Sequence, residues 1–282
     1  AQSQQRVGIE PDDKVVVPGV LTWGEYLNRR ATWDKIRQWV GLDAQFYEGA
    51  DVKLYPADWL ARAHRRHQEV RDRYKNRTAR AIGIDPAEGG DRTSMVVVDE
   101  FGIIEMVTKK TPDTNVIVGE ALAFMYKYNV RPDKVVFDRG GGGKQHADRL
   151  RAQGIPVRTI MFGEAVSLDP RRGLTPIQHR REVKEERTAF KNRRAEMYWE
   201  LRTLIDPMGD PLTSSHPTFA IPYYAVDEPG RKPLQEQMEP IPLSYDDEGK
   251  MYVMPKQRKD SKDERPTLTE IIGHSPDELD AL

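Results

Sequence analysis

Two short apolar runs, Arg80-Ala81-Ile82-Gly83-Ile84-Asp85 and Lys134-Val135-Val136-Phe137-Asp138, each end in an aspartate and pass directly into turn-forming or glycine-rich backbone. This pattern constrains the fold more than any other feature of the chain. Each run reads as a strand closed by a turn. Ser94-Met95-Val96-Val97-Val98-Asp99 and Ile103-Ile104-Glu105-Met106-Val107 follow the first run at hairpin distances, which predicts three antiparallel strands in succession. Helical patterns over Thr114–Tyr128 and from the four-glycine loop Gly140–Gly143 to Ala152 alternate with the strands at 134–138 and Pro156–Ile160. Strands that alternate with helices imply crossover connections and a partly parallel sheet. The expected class is α/β, a mixed sheet flanked by helices.

Around this centre the reading is coarser. Residues 1–78 are expected to form a helical appendage or linker and residues 79–282 the sheet domain. Leu21, Trp23, Tyr26, Leu27, Trp33, Ile36 and Trp39 have mostly helical spacing, and Asp58 is the expected cap of a second helix. Gln178–Ile205 reads as one long helix and Pro233–Met238 as a short one. Ile241–Tyr245 and Lys250–Met254 read as a hairpin around Asp246-Asp247-Glu248-Gly249. At the end, Ser275 is the expected cap and Pro276 the expected first residue of a last helix.

Composition excludes several classes. No stretch reaches the roughly 20 apolar residues that span a bilayer, and residues 1–18 lack the pattern of a secretory signal. The absence of cysteine removes disulfides, thiolate zinc sites and cysteine nucleophiles. With 44 basic against 45 acidic residues, any nucleic-acid binding must come from local clustering.

A carboxylate at the carboxyl end of a strand points into the crevice where open α/β sheets bind ligands. Asp85 and Asp138 share that position, and Asp277 and Asp280 lie one turn apart on one face of the last helix. Carboxylates from separate elements can hold Mg²⁺ or Mn²⁺, because hard cations prefer oxygen. Each also has a structural explanation: Asp85 as a turn residue, Asp138 as a cap, Asp277 as a complement to a helix dipole.

Three segments in this order resemble the nuclease domain of phage terminase large subunits. They are Gly83-Ile84-Asp85-Pro86-Ala87-Glu88-Gly89-Gly90-Asp91-Arg92-Thr93, Val136-Phe137-Asp138 with its glycine loop, and Ser275-Pro276-Asp277-Glu278-Leu279-Asp280-Ala281-Leu282. The likeness extends from about Leu54 to Leu282 and takes in Tyr55-Pro56-Ala57-Asp58-Trp59-Leu60 and Asn192–Trp199. The resemblance implies a ribonuclease H-like fold and a two-metal endonuclease that cuts concatemeric phage DNA during packaging. It implies Asp85, Asp138 and Asp277 as ligands of two Mg²⁺ or Mn²⁺ ions, with Asp280 as the second choice on the last helix and Lys262 as a lysine near the site that stabilises phosphoryl charge, its alternative being an exposed surface lysine. From the residues alone, Asp91 either approaches the metals through water or only serves the tight turn after two glycines, and His274 either assists or is a capping or surface residue. It also implies double-stranded DNA as substrate, with a terminase ATPase region, a small terminase subunit and a portal as partners in the host cytoplasm. Two alternatives stay open: another ribonuclease H-like nucleotidyl transferase of transposase or resolvase type, and a non-catalytic DNA-binding assembly module.

Arg171, Arg172, Arg180, Arg181, Lys184, Arg187, Lys191, Arg193 and Arg194 face only Glu182, Glu185 and Glu186 within their stretch. Such a run can neutralise phosphates without reading bases, and its helical part can also be laced by one-turn Glu–Arg pairs. A second basic run, Arg62 to Arg80, reads first as a solvated helix face. The four glycines fit neither nucleotide-binding pattern, G-x-G-x-x-G or G-x-x-x-x-G-K-[ST]. No ATP hydrolysis is therefore expected, and the chain reads as a separated nuclease region with part of a preceding linker. His64 and His67 have helical spacing but no further ligands nearby, so they are expected on the surface.

Overall fold

The computed structural model describes residues 22–32, 42, 53–87, 91–166, 190–207, 219–246, 249–258 and 265–282. The chain divides into two units, residues 1–52 and 53–282. Within the first, helix α1 covers Trp23–Thr32, with Trp23 stacked on Tyr26.

The second unit starts earlier than the expected boundary at 78/79. Its first helix, α2 (Ala57–Arg73), buries Leu60, Ala63 and Val70, and Leu54 and Tyr55 just before it are fully buried. Burying a large apolar side chain contributes about 1.5–3 kcal/mol, so residues 53–73 belong with the core they fill. Pro56, not Asp58, is the N-cap of α2; Asp58 lies in the first turn, where its charge complements the helix dipole.

The sheet has five strands: β1 (Ala81–Asp85), β2 (Thr93–Val98), β3 (Ile103–Lys109), β4 (Val135–Asp138) and β5 (Arg158–Ile160). Their order is β3-β2-β1-β4-β5, antiparallel from β3 to β1 and parallel from β1 to β5. Helix α3 (Asn115–Tyr128) and a short 3₁₀ turn lead into β4, and α4 (Gly143–Ala152) connects β4 to β5. The period of two divides the strand residues between two cores. Ile82, Ile84, Met95 and Val97 pack with residues of α3 and α4. Val96, Ile103 and Met106 face the other way, toward α5 (Arg193–Ile205), α6 (Leu234–Met238), α7 (Leu268–Ile272) and α8 (Asp277–Ala281).

Gly83 also points toward that second face. A Cβ placed there would lie 1.9 Å from the Ala281 carbonyl oxygen, so only glycine lets the backbone of α8 rest on β1. The hairpin β6 (Ser244–Tyr245) and β7 (Met251–Tyr252) forms as expected, although shorter.

The long helix expected over Gln178–Ile205 is not continuous. Phe190 bridges to Met251, and Asn192 caps a helix that starts at Arg193, its side chain accepting a hydrogen bond from the Ala195 amide at 3.1 Å. Residues 178–189 lie outside the described residues. The last helix starts one residue later than expected, with Pro276 at the N-cap and Asp277 as its first residue.

Candidate active site

Ile84 pairs with Phe137 across the parallel β1–β4 ladder, and Asp85 and Asp138 are the next residues on the two strands. Parallel neighbours run about 4.8 Å apart, so the shared register sets the two carboxylates side by side. The glycine loop then turns the chain sharply. Gly141 and Gly142 have φ of 52° and 81°, and a Cβ on Gly143 would strike the Asp138 carbonyl oxygen at 1.7 Å. The loop is a turn that packs the start of α4 on the end of β4. Gly142 is the N-cap of α4, while the Asp138 carboxylate accepts from the Gly140 amide at 3.2 Å.

Helix α8 brings the third and fourth carboxylates to the same place. Asp85, Asp138 and Asp277 line a cavity of 860 Å³, together with Asp91, Arg92 and Lys256. Asp280 does not line it. Its carboxylate accepts from Arg194 at 3.1 Å and from the Tyr198 hydroxyl at 2.7 Å, and it borders a separate, largely apolar cavity of 340 Å³. Of the terminal pair, Asp277 faces the large cavity and Asp280 forms part of its support.

The cation at the centre is Lys256, which the sequence reading did not single out. Its Nζ lies 2.7 Å from Asp280 Oδ2, 3.3 Å from Asp85 Oδ2 and 4.0 Å from Asp277 Oδ1. Arg231 donates to Asp277 Oδ2 at 3.0 Å and to Glu278 Oε1 at 2.8 Å, which fixes the start of α8. The backbone amide of Arg92 also approaches Asp277, at 3.4 Å.

These surroundings move the carboxyl groups in different directions. Burial pushes Asp85 well above the usual carboxylate range; Lys256 opposes this, and Asp280, Asp138 and Asp277 add to it. Asp138 is raised by burial against the pull of the Gly140 amide, and Asp277 by burial against Ser275, Lys256 and Arg231. Burial acts on Asp280 too, but Arg194 and Lys256 more than offset it and hold that group below its ordinary value. Charge is therefore crowded on the cavity side and compensated behind it.

The remaining residues named from sequence divide as follows. His274 is not among the residues lining the cavity: its Nε2 accepts from the Lys232 amide at 3.0 Å and its Nδ1 lies 2.7 Å from the Ser275 carbonyl oxygen. That arrangement fixes the Nδ1–H tautomer and holds the segment before α8. Arg194, expected on a DNA-facing surface, is buried between Asp280 and the Phe162 ring, 4.5 Å from its centroid. Arg193 pairs with Glu196 at 2.8 Å, one of the one-turn pairs the sequence allows. Lys191 is half exposed and lines the cavity. Asp91 is exposed at the cavity wall. Lys262 and the basic residues 171–187 lie outside the described residues. Gly142, not Asp138, is the cap of α4; the Asp138 carboxylate instead accepts from the Gly140 amide two residues on, and Asp85 pairs with Lys256.

No family model and no curated protein matches the sequence. Solved structures do match. A mutant nuclease domain of the large terminase subunit gp2 of bacterial virus Sf6, with manganese and beta-thujaplicinol, is 17% identical with a TM-score of 0.55. The match covers 82% of this chain and 96% of that one. The same nuclease domain without the mutation is 15% identical, with a TM-score of 0.54 over 81% of this chain and 95% of that one. The chain has the fold of a large-terminase nuclease domain. The mixed sheet flanked by helices is the class expected from the alternation of strands and helices.

Proposed function

We propose that the chain is a divalent-metal-dependent endonuclease of the terminase type, acting on double-stranded DNA during phage genome packaging in the host cytoplasm. The nuclease unit is residues 53–282, with residues 1–52 as the appendage. The observation that carries this reading is the convergence of Asp85, Asp138 and Asp277, from three separate elements, on one open cavity.

The donor set suits a hard cation in kind, being anionic, all oxygen and partly desolvated. Among the described residues, no three acidic or histidine side chains stand close enough to hold one ion as placed. Lys256 instead brings its ammonium among them, so positive charge is already in demand at this point. Related folds carry manganese and calcium in the Sf6 structures, in line with Mg²⁺ or Mn²⁺ here. Divalent ions held by Asp85, Asp138 and Asp277 would lower the pKa of a water molecule and stabilise the leaving oxygen of a phosphodiester.

The chain's own residues do the rest. Arg231 and the Arg92 amide hold Asp277 toward the cavity, and the Gly140 amide holds Asp138. Lys256 offsets the repulsion of the carboxylates while the site is metal-free and lies where it can stabilise charge on a transferring phosphoryl group. In the overall reaction, water oxygen adds to phosphorus as the P–O3′ bond breaks, and the 3′ oxygen leaves with a proton. ATPase, small-subunit and portal partners belong to the same reading.

The test is plasmid nicking by the purified chain in Mg²⁺ or Mn²⁺. EDTA abolishes it, and Asp85→Ala, Asp138→Ala and Asp277→Ala each lower it by more than the roughly 10–100-fold typical of residues that only orient a ligand. Cleavage that persists in chelator, or full activity in all three variants, would overturn the assignment. Strand-transfer products would point to a transposase-like enzyme, and metal-independent binding without cleavage to an assembly module.

A further inference from the structure

Tyr252 on β7 lines the same cavity as the three aspartates, in a partly exposed position. Its neighbours Met251 and Val253 are buried in the core, so the strand's alternation presents the Tyr252 ring differently from theirs. Two cations stand over that ring, and one of them, Lys191, also pairs with Asp246 at 3.6 Å. Lys191 Nζ is 5.4 Å from its centroid and Arg265 Cζ is 5.9 Å from it, and both residues also line the cavity. The Lys191 amide donates to the Met251 carbonyl at 2.9 Å, which ties the lysine to the strand that carries the tyrosine.

An aromatic ring and mobile cations on one wall are the combination that holds single-stranded nucleic acid: the long cationic side chains swing from the ring to the phosphates, and the ring face they leave stacks on a base. In intact duplex, base faces are covered by their neighbours and are out of reach of a wall residue. The geometry points to Tyr252 as a stacking platform for an unpaired base beside the carboxylates, with Lys191 and Arg265 contacting the adjacent phosphates, so that the cleft accepts a locally strand-separated segment. This rests on the reading of the cleft as a DNA site and names the form of DNA it takes.

The experiment measures binding of the full chain to a labelled single-stranded oligonucleotide and to a blunt duplex of equal length, by fluorescence anisotropy in EDTA. Stacking on one base accounts for roughly 1–3 kcal/mol, so Tyr252→Leu is expected to weaken single-strand binding about 5- to 150-fold, with duplex binding changed less than about twofold. Leucine retains apolar packing against the core but has no aromatic face, whereas Tyr252→Phe should bind like wild type. Lys191→Ala and Arg265→Ala should each reduce the slope of log affinity against log salt by about 0.7.

Equal single-strand binding by Tyr252→Leu and wild type would overturn the inference, as would parallel losses for both DNA forms. Should Tyr252→Leu not fold, photocrosslinking of wild type to an oligonucleotide carrying 5-iododeoxyuridine, followed by peptide mapping, decides: a crosslink at Tyr252 supports the platform and its absence removes it. Failure of the nuclease reading is read separately, as intact binding without Mn²⁺-dependent cleavage.

Discussion

The two aspartates of the last helix should respond very differently to removal, because one faces the cavity and the other compensates buried cations. In Asp280→Ala the guanidinium of Arg194, buried against Phe162, loses its carboxylate, and the buried Tyr198 hydroxyl loses its acceptor. Lys256 keeps Asp85 but gives up its 2.7 Å partner. Breaking a buried ion pair by deleting one member costs about 3–5 kcal/mol. For a domain of this size 1 kcal/mol corresponds to roughly 2–4 °C in Tm, which gives a loss of about 6–20 °C.

Asp277→Ala removes a carboxylate that burial already strains, and Arg231 still pairs with Glu278. The loss of its hydrogen bond, worth about 1.5–3 kcal/mol for a charged partner, is offset by relief of crowding among the acids. Thermal and urea unfolding in EDTA, on wild type and both variants, measures the contrast. If Asp277→Ala costs as much as Asp280→Ala, or if Asp280→Ala costs less than about 1 kcal/mol, then the division into a cavity-facing and a supporting aspartate is wrong.

Gly83→Ala should force α8 off β1, because the new Cβ would overlap the Ala281 carbonyl. Overpacking of this kind costs about 1–3 kcal/mol. Since α8 carries Asp277, the proposed nuclease activity should fall more steeply than stability; a variant with wild-type melting and activity would show that the contact is not needed. The imidazole of His67 is held below its ordinary value of 6.5 by burial and by Arg77, Arg71 and His64. The unfolded chain therefore binds the proton more readily, and this group's contribution is full above pH about 6.5 and declines as pH falls through the window below it. His67→Gln should flatten the melting temperature over that range, and an unchanged pH profile would count against the assignment.

The alternation of Ile82, Ile84 and Val135, Phe137 and the aspartates closing both runs were legible in the chain itself. Strand and turn preferences act over a few residues, and a parallel pairing of two such runs then makes their ends adjacent. The same locality explains the short helix at 234–238, the β6–β7 hairpin and the four-glycine turn. It also explains the misplaced start of α5: the Asn192 cap was present in the sequence, but helical spacing read across it gave one long helix.

Which cation compensates which carboxylate was decided only by packing. Lys256 reaches Asp85 across 171 positions and Arg194 reaches Asp280 across 86. A basic residue on a charged stretch has the same local pattern whether it meets solvent, DNA or a buried acid. The choice between Asp277 and Asp280 was hidden for a related reason. One-turn spacing puts both on one helix face, but only the seating of α8 on Gly83, with Arg194 and Tyr198 behind it, turns the first toward the cavity and closes the second in.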